Sequence, residues 1–155
     1  MLLAVSSFLI FLLLVIFSKK HLSKLEMYTS SIFAIVLDFV VDYLLEFKYH
    51  LYGYFRIYKA DYEDFIVILG IYPLIDILYL NYFPFKKSRI VQVLYVIGWS
   101  CFSIFYEWLA VRSELFYYNG WKLIYSVPIY PILFLILLGK FWFINYLKRK
   151  EFIQK

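Results

Sequence analysis

The chain has 155 residues, of which 65% are hydrophobic and 25% aromatic, with a mean hydropathy of +0.75. Soluble domains carry about 45–50% apolar residues; one core of this length cannot hide the excess, so lipid must be the solvent for much of the chain. The net charge of +5 sits in short basic clusters between apolar runs rather than along a stripe, which excludes a nucleic-acid face and turns the clusters into topology signals.

The first apolar run, 2–17, ends in Ser18, Lys19 and Lys20. No small-x-small cleavage site follows it, so it reads as an uncleaved helix rather than a signal peptide. Further runs follow at about 28–49, 65–83, 90–111 and 123–147. Each is close to the ~20 residues that cross a hydrocarbon core. The third is stopped by Pro84 with Lys86 and Lys87, and the fifth by Lys148, Arg149 and Lys150. Linkers are short and no internal repeat stands out. The expectation is a single all-α domain, residues 1–155, forming a bundle of five transmembrane helices in the cell membrane.

The second run carries Asp38, Asp42 and Glu46. A central Asp costs roughly 2.5–3.5 kcal/mol on insertion scales, so the two near-central ones cost at least the ~5 kcal/mol that the run's Leu, Ile, Val and Phe residues return. Such a helix needs neighbours. Charge asymmetry decides in its favour. With five spans and the amino terminus outside, ten Lys/Arg fall on the inner side (Lys19, Lys20, Lys24, Lys86, Lys87, Arg89, Lys148, Arg149, Lys150, Lys155) and five outside (Lys48, Arg56, Lys59, Arg112, Lys122). Removing the second span leaves eight and seven, and the positive-inside bias is lost.

Tyr49, Tyr52, Tyr54 and Tyr58 after the second span, and Tyr117, Tyr118, Trp121 and Tyr125 before the fifth, read as an outer interfacial belt. Asn119-Gly120 marks a tight turn. Cys101 is the only cysteine. It allows no internal disulfide and no cysteine-based metal site, and inside the fourth span it reads as packing. Lys140, the one base within a span, is expected to snorkel to the inner headgroups.

The candidate site is the set of intramembrane carboxylates. Asp38, Asp42 and Glu46, spaced by four, share one helical face with Leu45 and Tyr49, a face that cannot look at lipid. Asp76 lies in the third span with Tyr72 and Tyr79 on its side and Pro73 three residues before it, freeing the carbonyl of Leu69. Glu107 in the fourth span continues a polar stripe from Ser100 and Ser103. A rise of about 1.5 Å per residue puts Asp38 and Asp76 near the midplane, Asp42 further out, and Glu46 and Glu107 near the outer surface. Packing of these spans would draw a carboxylate track from the outside to the centre. His50 extends the set at the outer end; His21 is on the other side of the membrane.

No H-E-x-x-H, G-x-S-x-G, P-loop or dinucleotide turn is present, and no catalytic residue, metal ligand set or cofactor is expected. Short loops and aromatic belts favour a protein that acts by association with the lipid bilayer, another membrane protein or a second copy of itself. Proton- or cation-coupled transport along Asp38, Asp42, Asp76 and Glu107 is the alternative. An intramembrane lipid-modifying enzyme is the third.

Tyr72-Pro73, Leu78-Tyr79-Leu80, Phe83-Pro84, Gln92, Trp99, Tyr106-Glu107 and Tyr118-Asn119-Gly120-Trp121 with Ser126, in this order, resemble an uncharacterised family of small multi-span membrane proteins of spore-forming Gram-positive bacteria. Its members show a Tyr-Pro span, a Phe-Pro stop and an Asn-Gly-Trp turn, and Asp38 with Tyr43 is similar to its acidic-aromatic pair. The likeness covers residues 34 to 127. It departs at Lys122, where the family usually has Asn. It implies topology and no activity.

Overall fold

The computed structural model describes residues 1–55 and 64–153, with side chains to residue 150. Tyr58 of the expected belt, and Arg56, Lys59 and Lys155 of the charge count, lie outside the described residues. The chain is all-helical apart from two three-residue strands. The helices are α1 (Leu2–Phe17), α2 (Lys24–Asp42), α3 (Tyr72–Asn81), α4 (Arg89–Arg112) and α5 (Leu123–Ile153); the strands are β1 (Tyr52–Tyr54) and β2 (Phe116–Tyr118). α4 and α5 are each long and apolar enough to cross a membrane, and only 17% and 22% of their most apolar stretches are buried.

The elements follow the expected runs but differ at their ends. α2 starts at Lys24 because Ser23 and Glu26 form a reciprocal capping box. α5 continues through Lys148–Lys150, since basic side chains can end an apolar stretch without ending a hydrogen-bond ladder. α2 runs on into a π-helical segment, Tyr43–Lys48, and α3 is entered through another, Ile66–Ile71. Pro73 sits in the first turn of α3. Its ring excludes the carbonyl four residues back, and the wider π turn takes up the strain, with the Tyr72 N–H reaching back to the Val67 carbonyl.

α2 packs on α3 and α5, α4 on α5, and α1 on α3 and the π segment before it. Rings of Tyr79 on α3 and Tyr95 and Trp99 on α4 close the remaining side, with the Tyr95 hydroxyl donating to the Tyr79 carbonyl at 2.9 Å. One apolar core gathers Ala34, Tyr79, Leu80, Phe83, Val96 and Phe134; a second gathers Ala4, Phe11, Tyr54, Ile71, Leu78 and Leu115. Trp99 packs against both.

The hairpins α2–β1–α3 and α4–β2–α5 are built alike, a repeat not apparent in the linear sequence. Ile71-Tyr72-Pro73 near the start of one returning helix recurs as Ile129-Tyr130-Pro131 in the other. β1 and β2 pair antiparallel as Tyr52–Tyr118, Gly53–Tyr117 and Tyr54–Phe116. Gly53 allows the close approach there: a Cβ would meet the Tyr117 hydroxyl, and Glu46 Oε1 at 2.8 Å. The Asn119-Gly120 turn is present, with Gly120 at φ 99°.

The strand pair corrects the belt. Tyr52 and Tyr54 are 7% and 3% exposed, because pairing turns their rings inward, whereas Tyr49 and Tyr125 are exposed. Cys101 is exposed on the outer flank of α4 rather than packed inside.

At the opposite end the basic loops are tied together. Asn81, 3% exposed, accepts from the backbone N–H groups of His21 (2.7 Å) and Leu22 (3.3 Å) and donates to the Lys19 carbonyl (2.8 Å). Lys148 on α5 pairs with Glu26 at 3.2 Å. Burial works to raise the Glu26 carboxyl, but hydrogen bonds from Ser23 and the nearby Lys148 ammonium outweigh it and hold the group below its ordinary 4.5. A depressed folded-state value stabilises the fold above the unfolded value and loses that stabilisation as pH falls through the folded one. Glu26→Gln is therefore expected to lower stability in detergent by about 1 kcal/mol at pH 7 and to flatten the loss of stability below about pH 4.5. Unfolding titrations of both proteins across that range check it; parallel pH curves would refute it.

Candidate functional site

Two adjoining cavities lie where the hairpins meet. The larger, about 120 Å³, is lined by Asp38 and Leu37 of α2, Tyr72, Ile75 and Asp76 of α3, Phe102, Ser103, Tyr106 and Glu107 of α4, and Tyr130, Leu133 and Phe134 of α5. The smaller, about 80 Å³, shares Asp38, Tyr54, Tyr72, Glu107 and Tyr130 and adds Asp42, Tyr52, Trp121 and Ser126. All four expected carboxylates thus face one interior space. Among the described residues no basic side chain lines either cavity.

The four are not equivalent. Glu107, 6% exposed, accepts from three hydroxyls: Tyr118 at 2.6 Å and Ser126 at 2.8 Å on Oε1, and Tyr130 at 2.7 Å on Oε2. The Trp121 indole donates to the Ser126 hydroxyl at 3.0 Å and orients it. Asp42, 4% exposed, accepts from Tyr52 at 2.8 Å and Tyr54 at 3.2 Å, and Tyr54 is in turn 2.6 Å from the Tyr72 hydroxyl. Burial, reinforced by the neighbouring carboxylates, raises the phenols of Tyr52 and Tyr118 above their usual range, so both remain donors. Each carboxylate is held by tyrosines of its own hairpin.

Asp76 differs. It is 1% exposed, and neither carboxylate oxygen has a hydrogen-bond partner. Asp38 is half-buried on the same cavity and accepts no hydrogen bond among the described residues. The two carboxylates lie within electrostatic reach of each other. A buried polar group without a partner is costly, and an ionisable one among apolar helices marks a functional position.

Of the supporting residues, Tyr72 and Ser103 line the site. Tyr79 and Ser100 do not. Tyr79 is fully buried and its ring stacks on Tyr95, with its hydroxyl turned to the Phe134 carbonyl at 3.3 Å. Ser100 bonds back to the Val96 carbonyl at 2.8 Å, the usual fate of a serine within a helix. Glu46 is buried against Gly53 beneath the strands rather than at an interface. The exposed His50 ring takes no place in either cavity; its carbonyl accepts from the Asn119 side chain at 2.8 Å.

Lys140 also departs from expectation. Its ammonium lies 3.2 Å from the buried Ser30 hydroxyl of α2 and 5.5 Å from the Phe33 ring centroid, within electrostatic reach of Asp76. It bridges α2 and α5 instead of snorkelling away, because α2 presents it a hydroxyl and an aromatic face. The tyrosine donors on β1 and β2 were not legible as site residues. Their only signal was their number between carboxylate-bearing helices.

No family model, no curated protein and no solved structure matches the chain.

The contrast between satisfied and unsatisfied carboxylates is measurable. Glu107→Leu, which leaves three buried or part-buried hydroxyls without their acceptor, is expected to cost about 3 kcal/mol or more, at about 1–3 kcal/mol for each buried donor left unsatisfied. Asp76→Leu strands no hydrogen-bond donor, though it removes the carboxylate near Lys140, and is expected to cost less than Glu107→Leu. Unfolding midpoints in detergent titrations test both; a larger loss for Asp76→Leu than for Glu107→Leu would overturn the assignment.

Proposed function

We infer that the chain is a five-helix integral protein of the cell membrane, amino terminus outside and carboxyl terminus inside, that handles a cation or a proton at its interior carboxylates. The membrane reading draws on α4 and α5, which pass the test of length and composition. It draws also on the outward sides of α1 and α2, where Leu9, Ile10, Leu13, Val36, Phe39 and Val40 are exposed. Monomers in water rarely carry contiguous apolar patches beyond a few hundred Å². The basic loops gather at one end, as the positive-inside rule asks of an inner face.

The observation that carries the functional reading is Asp76: an unpartnered carboxylate, 1% exposed, in a cavity that also receives Asp38 and Glu107. Packing explains Asp42 and Glu107 through their tyrosine donors. It offers neither Asp76 oxygen a hydrogen bond, although the Lys140 ammonium lies within electrostatic reach.

A second reading, association with lipid or a membrane partner, is favoured by a shallow apolar groove of about 580 Å³ lined by Ile10, Leu13, Leu14, Phe17, Leu78, Tyr82 and Trp99. Its contents would be acyl chains or a helix, and it makes no use of the carboxylates.

Reporter fusions are expected to read outside after Lys59 and inside after Lys87; the same side for both would remove the second span. In reconstituted vesicles, proton or cation flux is expected above that of empty vesicles. Asp76→Asn should cut it at least tenfold at unchanged membrane abundance. Flux no greater than in empty vesicles would end the transport reading.

A further inference from the structure

We propose that the cavity between the two hairpins is a binding site for a small organic ammonium ion, with Asp76 and Asp38 as its counter-charges. The inference rests on the cation-handling reading and adds the class of cation. The like construction of the hairpins shows where they differ. Where one returning helix has Asp76, the other has Phe134, at the same place after its Tyr-Pro pair. Both line the larger cavity, as do Tyr72 and Tyr130, and Ile75 and Leu133. At this pair of positions the site is therefore acidic on one side and aromatic on the other, while Glu107 of the second hairpin, engaged by its hydroxyl donors, also lines it.

Three features select an organic cation. Among the described residues the walls hold carboxylates and no basic side chain; neither oxygen of Asp76 accepts a hydrogen bond, and Lys140, within electrostatic reach of it, stands outside the lining. The remaining wall is aromatic and aliphatic, with the rings of Phe102, Tyr106, Phe116 and Phe134. Ring faces attract alkylammonium groups while carboxylates neutralise them. Hard metal cations instead need about six or more oxygen ligands, and among the described residues no three His, Cys, Asp or Glu side chains come together as a ligand set. A volume of about 120 Å³ is close to the ~150 Å³ cavity known to admit benzene. The ligand is thus an organic ammonium ion with a few carbon atoms.

The test uses the full chain in detergent, with n-butylammonium as probe, n-pentanol as its neutral counterpart, and sodium and potassium chloride as inorganic controls. Butylammonium is expected to raise the unfolding temperature saturably and to bind by calorimetry. Asp76→Asn is expected to weaken binding at least tenfold, and Asp38→Asn to a lesser degree. Ala110→Leu, which fills part of the same wall, should abolish binding while leaving both aspartates in place. Equal stabilisation by pentanol would overturn the proposal, as would an unchanged affinity in Asp76→Asn. Saturable binding of sodium or potassium alone, lost in Asp76→Asn, would overturn the organic class but leave cation handling standing. No response to any cation, together with background flux in vesicles, would remove both.

Discussion

Glu107 and the three hydroxyls that bind it hold the rest of the structure in register. A carboxylate within an apolar bundle is tolerable only when its oxygens are engaged, and here the donors come from β2 and two positions of α5. That requirement fixes the turn between α4 and α5 and the rotation of α5 about its axis. Asp42 does the same in the other hairpin through Tyr52, Tyr54 and Tyr72. The strands pair because both tyrosine ladders must reach inward at once. Two polar networks thus align helices that apolar packing alone would leave free to slide.

The opposite end is fastened differently. Asn81 binds the backbone of the loop between α1 and α2, Gln92 donates to carbonyls of the loop before α4, and Lys148 meets Glu26. Amides and an exposed ion pair serve here because water is the competing solvent, whereas the interior relies on hydroxyls and carboxylates.

Much of this was legible in the residues. The apolar runs return as helices, of which α4 and α5 keep the length and composition to cross a membrane. The inward orientation of Asp38, Asp42, Asp76 and Glu107 followed from the cost of facing an apolar surround. Asp42 and Glu46 both prove buried, as their shared face required. The hairpin repeat was hidden because it resides in a Tyr-Pro pair and a strand register rather than in sustained identity. The π segments were hidden because their hydrogen bonds depend on how Pro73 and the strands are accommodated. Tyr52 and Tyr54 look like belt residues in sequence, since tyrosine suits a wet boundary and a buried donor equally well. Only the partner strand separates the two. Lys140 was misread for a related reason: an inner-end lysine snorkels unless a neighbouring helix offers a hydroxyl, and Ser30 is distant in sequence.

Two like hairpins give their shared cavity a handedness through one exchange, an acid at position 76 against a benzyl ring at 134. An occupant with a charged head and an oily tail meets two poses that the hairpin relation would make equivalent. One sets the head against oxygen and the tail against the ring; the other reverses both and is disfavoured twice over. In the proposed binding mode the cavity therefore discriminates direction as well as charge.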